Sequence, residues 1–192
     1  MKQYLASTQY IDWQTDEVKA KAQQLALGLS DKTEIAAACF QFVRDHIKHS
    51  MDFKLNPITC KASDVLKHST GYCYAKSHLL AALLRANGIP AGMCYQRLTI
   101  ENDKSPFCLH GLNAVFIEPY GWYRIDARGN KTGVDAQFTP PREQLAYPLV
   151  CEGEADLPEI WAEPLPNIIA VLEKYNTYDD VAANLPDIAL IQ

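Results

Sequence analysis

Gly71-Tyr72-Cys73-Tyr74-Ala75-Lys76-Ser77-His78-Leu79-Leu80-Ala81-Ala82-Leu83-Leu84-Arg85-Ala86-Asn87 is the stretch on which the fold turns. Leu79 and Leu83 are four residues apart, as are Leu80 and Leu84, so two adjacent stripes of a helix are apolar. Asn87-Gly88 supplies a left-handed stop, and Pro90 forbids continuation. The spacing predicts a helix over 71–87, with Ser69 or Thr70 available as its cap. Cys73 then falls in the first turn, where unpaired N–H groups and the positive end of the helix dipole favour a thiolate.

Upstream, the chain reads as helical. Val18, Ala22, Leu25 and Leu29 predict a helix over 15–29. Asp31-Lys32-Thr33-Glu34 resembles a capping box, and Ile35, Cys39, Phe42, Val43, His46 and Ile47 follow on one face, predicting a helix over 32–48. Residues 49–62 read as irregular, and Ser63 could cap a short helix. Downstream of Pro90 the texture becomes that of strands: 92–99, 111–117 and 122–126, the last two joined by the turn Glu118-Pro119-Tyr120-Gly121. Residues 131–150 carry Pro and Gly punctuation without a period, and short helices are expected over 166–175 and 177–184. Helices first and antiparallel strands second make an α+β fold. We expect one domain over 1–192, with a core at 62–130 and the segment 131–192 packed on it.

Of the 192 residues, 48% are hydrophobic and 21% charged, and the formal net charge is −5, an ordinary globular balance. No run of Lys and Arg interleaved with aromatics suggests a nucleic-acid surface. No window approaches the length of a membrane span, and the first ten residues lack the apolar run of a secretory signal, so a cytoplasmic location is expected. The six cysteines form no Cys-x-x-Cys pair, so neither a metal nor another cofactor is expected.

Three side chains could carry chemistry. Cys73 is a candidate nucleophile, although a small buried cysteine would share its local context. His110, at the start of the second strand, is a candidate base. His46 and His49 are explained by their place near a helix C-terminus, and His78 lies five residues past Cys73, turned away from the thiol. Asp126 ends the third strand and could orient the His110 ring, or could instead pair with Arg124 or Arg128 or cap the following turn. Geometry supplies a test. A two-residue loop at Pro119-Tyr120 would set Asp126 opposite Asn113, on the sheet face away from His110. An odd loop or a bulge would set it on His110's face.

Together, Ala62-Ser63-Asp64-Val65-Leu66, Gly71-Tyr72-Cys73, the Leu79–Ala91 block, His110-Gly111-Leu112-Asn113-Ala114-Val115 and Gly121-Trp122-Tyr123-Arg124-Ile125-Asp126 resemble the core of the transglutaminase-like superfamily. The resemblance implies a papain-like fold, with the nucleophile helix packed on an antiparallel sheet. It also implies roles: Cys73 nucleophile, His110 general base and acid, Asp126 orienter. The implied activity is that of a thiol-dependent amide hydrolase or acyltransferase, such as a cysteine protease, working through a thioester on a peptide, protein or small amide. Two positions depart from the family pattern: Leu112 stands where many members have Trp, and Ala127 where many have Pro. A side chain upstream of the cysteine often supplies a second oxyanion donor, and Asn56 and Thr59 satisfy that order. The alternatives are a catalytically silent binding module on the same fold, and an arylamine N-acetyltransferase, whose usual Arg-Gly-Gly is not matched here. Cleft walls are expected from 49–62, 100–108 and 131–150.

Overall fold

The computed structural model describes residues 1–101 and 104–189. After a short 3₁₀ turn (Lys2–Leu5) come α1 (Asp16–Leu25), α2 (Lys32–His46), β1 (Lys48–His49), α3 (Ser50–Phe53), α4 (Ala62–His68), β2 (Thr70–Gly71) and α5 (Cys73–Ala86). Then follow β3 (Ala91–Glu101), β4 (Lys104–Ile117), β5 (Gly121–Ile125), β6 (Ala155–Asp156), α6 (Pro166–Lys174) and α7 (Tyr178–Ala182). The main sheet is antiparallel, in the order β5-β4-β3-β6. The architecture is thus the α+β, papain-like arrangement expected from the sequence.

The two leucine stripes of α5 both find partners. Leu79, Leu80, Leu83 and Leu84 are all fully buried. α1, α2 and α4 pack against the helix, as do β3 and β4. A helix enclosed on all sides must also place its polar side chains, and α5 does so by aiming three basic residues at main-chain carbonyls. Lys76 donates to the carbonyl of Ile47, at the end of α2. His78 Nδ1 bonds the Cys60 carbonyl at 2.7 Å, well away from Cys73. Arg85 donates to the carbonyls of Ala6 (2.9 Å), Ala91 (2.8 Å) and Ala162 (2.6 Å), joining the N-terminal segment, the entry to β3 and the segment before α6.

The ends of the elements correct several sequence expectations. Asp31 does cap α2, accepting from the N–H groups of Thr33 and Glu34. α2 stops at His46 rather than 48, because Ile47 is extended and Lys48-His49 pair in parallel with Thr70-Gly71. α1 ends at Leu25, short of 29. The caps are Lys61 for α4 and Tyr72 for α5; Ser63 instead binds the Asp12 carboxylate through both its N–H and its hydroxyl. The segment 49–62, expected to be irregular, holds α3 and the start of α4. β4 begins at Lys104, seven residues before the expected strand, so His110 lies within it. The expected wall at 100–108 includes residues 102 and 103, which lie outside the described residues.

The β4–β5 hairpin decides the face of Asp126. Ile117 pairs with Gly121 and Asn113 with Ile125, so the loop is Glu118-Pro119-Tyr120, odd in length. Gly121 closes it at φ 77°, a conformation that favours glycine. Asp126 follows at the level of Leu112, on the face that carries His110.

Candidate active site

The site forms where β5 ends. β5 pairs only with residues 113–117 of β4, so the next stretch of that β4 edge is left to other partners. The Gly111 N–H points to Cys73 Sγ at 3.5 Å, and the Leu109 N–H donates to the Pro186 carbonyl at 2.7 Å. The N-terminus of α5 thus takes over an edge that a neighbouring strand has vacated, and it brings Cys73 with it. Gly111 permits the approach. A Cβ there would lie 2.9 Å from Tyr74 Cδ1 and 3.1 Å from Tyr74 Cα. Two further contacts fix the helix on the strand: the Tyr74 hydroxyl donates to the Leu109 carbonyl, and Asn113 Nδ2 donates to the Ser77 carbonyl at 3.0 Å.

Cys73, His110 and Asp126 come together here. His110 Nε2 bonds Asp126 Oδ2 at 2.7 Å, and the Cys73 sulfur lies near enough to the ring to favour its charged form. Asp126 is fully buried and well supplied with donors: Oδ1 accepts from the Arg128 N–H at 3.0 Å, and Oδ2 also accepts from the Ala146 N–H at 3.1 Å. Its carboxyl is held below the usual range: burial opposes ionisation, and the His110 charge and these hydrogen bonds overcome it. For His110, burial disfavours the charged ring, but the Asp126 carboxylate and the Cys73 sulfur outweigh it and hold the pKa at about 10. An imidazole so placed carries its proton at neutral pH. Tyr147 packs against it edge-on, ring centres 5.1 Å apart.

The thiol opens into a cleft of about 460 Å³. Cys73 begins α5, and the Tyr72 side chain makes no capping hydrogen bond, its hydroxyl donating instead to the Tyr178 carbonyl. The N–H groups of this first turn therefore have no side-chain cap and stand beside the sulfur, where an oxyanion would develop.

The two upstream candidates for an oxyanion donor face elsewhere. Asn56 Oδ1 accepts from the Tyr178 N–H, the Thr59 hydroxyl donates to the Thr70 carbonyl, and neither lines the cleft. His49, explained above by a helix end, is instead a cleft residue. The β1–β2 ladder sets it level with Gly71, and its ring meets Tyr72 edge-on at 5.4 Å. Burial and the nearby Arg128 guanidinium push its pKa well below the ordinary histidine value, against the opposing pull of Asp52. Arg128, paired with Asp52, also lines the cleft, rather than neutralising Asp126 with its side chain. Arg124 pairs with Glu143 and Asp156. Tyr147, from the segment without a readable period, is a further site residue. No helix among the described residues is long and apolar enough to cross a membrane.

A solved structure shares the fold. A candidate cysteine protease from Cytophaga hutchinsonii superposes with a TM-score of 0.52 at 21% identity, over 65% of this chain and 40% of that one. The periplasmic domain of TgpA from Pseudomonas aeruginosa gives 0.48 at 19% identity, over 65% and 45%. This chain therefore spans less than half the length of either. No curated protein matches its sequence. The model of the transglutaminase-like superfamily, by contrast, matches residues 19–127, over half of the chain and up to the residue after Asp126. On that match, the protein belongs to the transglutaminase-like superfamily.

Proposed function

We propose that the protein is a thiol-dependent amide hydrolase or acyltransferase acting on a peptide, protein or small amide. The observation that carries this reading is the position of the His110 ring, between a thiol at a helix N-terminus and a buried carboxylate. In the first half-reaction Cys73 Sγ, its proton on His110, attacks the carbonyl carbon, and the oxygen takes the charge beside the first turn of α5. As the C–N bond breaks, the imidazolium gives its proton to the departing amine and a thioester remains on Cys73. In the second, His110 takes a proton from water or from an amine, which attacks the thioester and releases an acid or a new amide. Asp126 holds the ring in the productive orientation and stabilises its positive charge throughout.

The test is acylation by p-nitrophenyl acetate. A burst of p-nitrophenolate is expected at one equivalent, with the acyl group found on the Cys73 peptide after acid quenching. Cys73→Ala should lose the burst while remaining folded. A burst that survives in Cys73→Ala would refute the assignment of the nucleophile.

A further inference from the structure

The cleft has a chemical grain. Along β4 from His110 toward its start lies Cys108, paired with Leu98 of β3, and Leu98, Ile100 and Cys108 all line the cleft. Two residues of strand cover about 7 Å. That is the distance over which a substituent of a carbonyl at Cys73 would run beside these side chains. Val150 and Leu185 also line the cleft, beside Glu154, whose carboxylate is already engaged by the N–H groups of Thr99, Val150 and Cys151. Two members of this wall are exposed: Ile100 by 45% and Val150 by 75%. On the β5 side the chain beyond Asp126 contributes Arg128 and Lys131, both bonded to Asp52, so the polar lining there is already engaged. Exposed aliphatic side chains that converge on a cleft with a nucleophile at its floor are stabilised when an apolar group covers them.

We propose that the site selects acyl donors carrying an apolar group next to the scissile carbonyl, which lies against Leu98, Ile100, Val150 and Leu185. The proposal rests on the thiol-enzyme reading above and adds the class of acyl group. In the reaction that probes it, Cys73 Sγ forms a bond to the acyl carbon of a p-nitrophenyl ester. The ester C–O bond breaks, p-nitrophenolate leaves with the electron pair, and water later releases the carboxylic acid.

Acylation rates would be measured for p-nitrophenyl acetate, butyrate and hexanoate. A fully buried methylene corresponds to about a fourfold gain in kcat/KM. Because part of the wall stays wet, we expect hexanoate to exceed acetate by at least about twentyfold. Ile100→Asp and Val150→Asp, at exposed positions where folding is little affected, should each cut that ratio about fivefold or more. Leu27→Asp, 84% exposed and outside the cleft, should leave the ratio as in the wild type. A Cys73-dependent burst with a flat chain-length series would overturn the acyl-group assignment alone. A chain-length preference untouched by both cleft variants would overturn it as well. Absence of any Cys73-dependent burst, with all three esters, would remove the enzyme reading and this inference together.

Discussion

Replacing Asp126 by Asn tests the site at its most constrained atom. The carboxylate accepts three hydrogen bonds, from His110 Nε2, the Arg128 N–H and the Ala146 N–H. An amide of the same shape has one acceptor oxygen. If that oxygen serves His110 and Ala146, the amide NH₂ faces the Arg128 N–H. If it serves Arg128, the NH₂ faces Ala146 and donates to Nε2, which moves the ring proton to Nδ1. Either way a buried N–H loses its acceptor, at a cost of about 1–3 kcal/mol in stability. The second arrangement also fixes the wrong tautomer, and kcat should fall about 10³- to 10⁴-fold.

The pH profile carries a separate signature. Burial disfavours the His110 imidazolium, but the Asp126 carboxylate and the Cys73 sulfur outweigh it and raise the ring from 6.5 to about 10. Turnover that needs the imidazolium as acid should therefore hold until pH approaches about 10 in the wild type. In Asp126→Asn the basic limb should move down by about two pH units, the usual scale of a close opposite charge. Stability follows the same logic. The raised His110 value contributes stability that is complete below 6.5 and lost as pH rises through about 10. The lowered Asp126 value contributes stability above the ordinary carboxylate range that is lost as pH falls toward the folded value. Urea midpoints from pH 3 to pH 10.5 should show both edges in the wild type and flatter ones in the variant. An Asp126→Asn enzyme within about tenfold of wild-type kcat, its basic limb unmoved, would refute the orienting role.

Other perturbations address the scaffold. Gly111→Ala places a methyl group against the Tyr74 backbone; it should cost about 1–3 kcal/mol by overpacking and slow acylation by displacing Cys73, and an unchanged urea midpoint would contradict that close contact. Arg85→Leu strips donors from the carbonyls of Ala6, Ala91 and Ala162 and should lose about 3–5 kcal/mol, with early proteolysis before Tyr10 or near Ala162; a thermal midpoint equal to wild type would show those bonds to be dispensable.

The parts of the fold readable from sequence are those with short-range causes. The α5 stripes with their Asn87-Gly88 stop and the Asp31 cap follow from periodicity and capping, whereas the face of Asp126 hung on a loop length that the turn signal at 118–121 left open. The gathering of Cys73, His110 and Asp126 was reached through chain order and family resemblance rather than from any one local signal. His49 was misread because its place depends on a two-residue parallel ladder with Thr70-Gly71, a long-range pairing with no periodic trace. The start of β4 was hidden by Pro106, which ordinarily marks the end of a strand reading. Tyr147 falls in the expected wall 131–150 but could not be singled out, because that segment is positioned by hydrogen bonds to Asp126 and to neighbouring side chains, not by a pattern of its own.

The bonds from Ala146 to Asp126 and from Leu109 to Pro186 have a consequence for anyone trimming the gene. A fragment ending at residue 130 would keep all three reacting side chains and the entire family match. It would nevertheless lack one of the donors that hold the carboxylate ionised, and its longest strand would present a bare rim to any passing chain. Such a fragment should be sticky and feeble, and the smallest unit worth expressing for kinetics runs past Pro186.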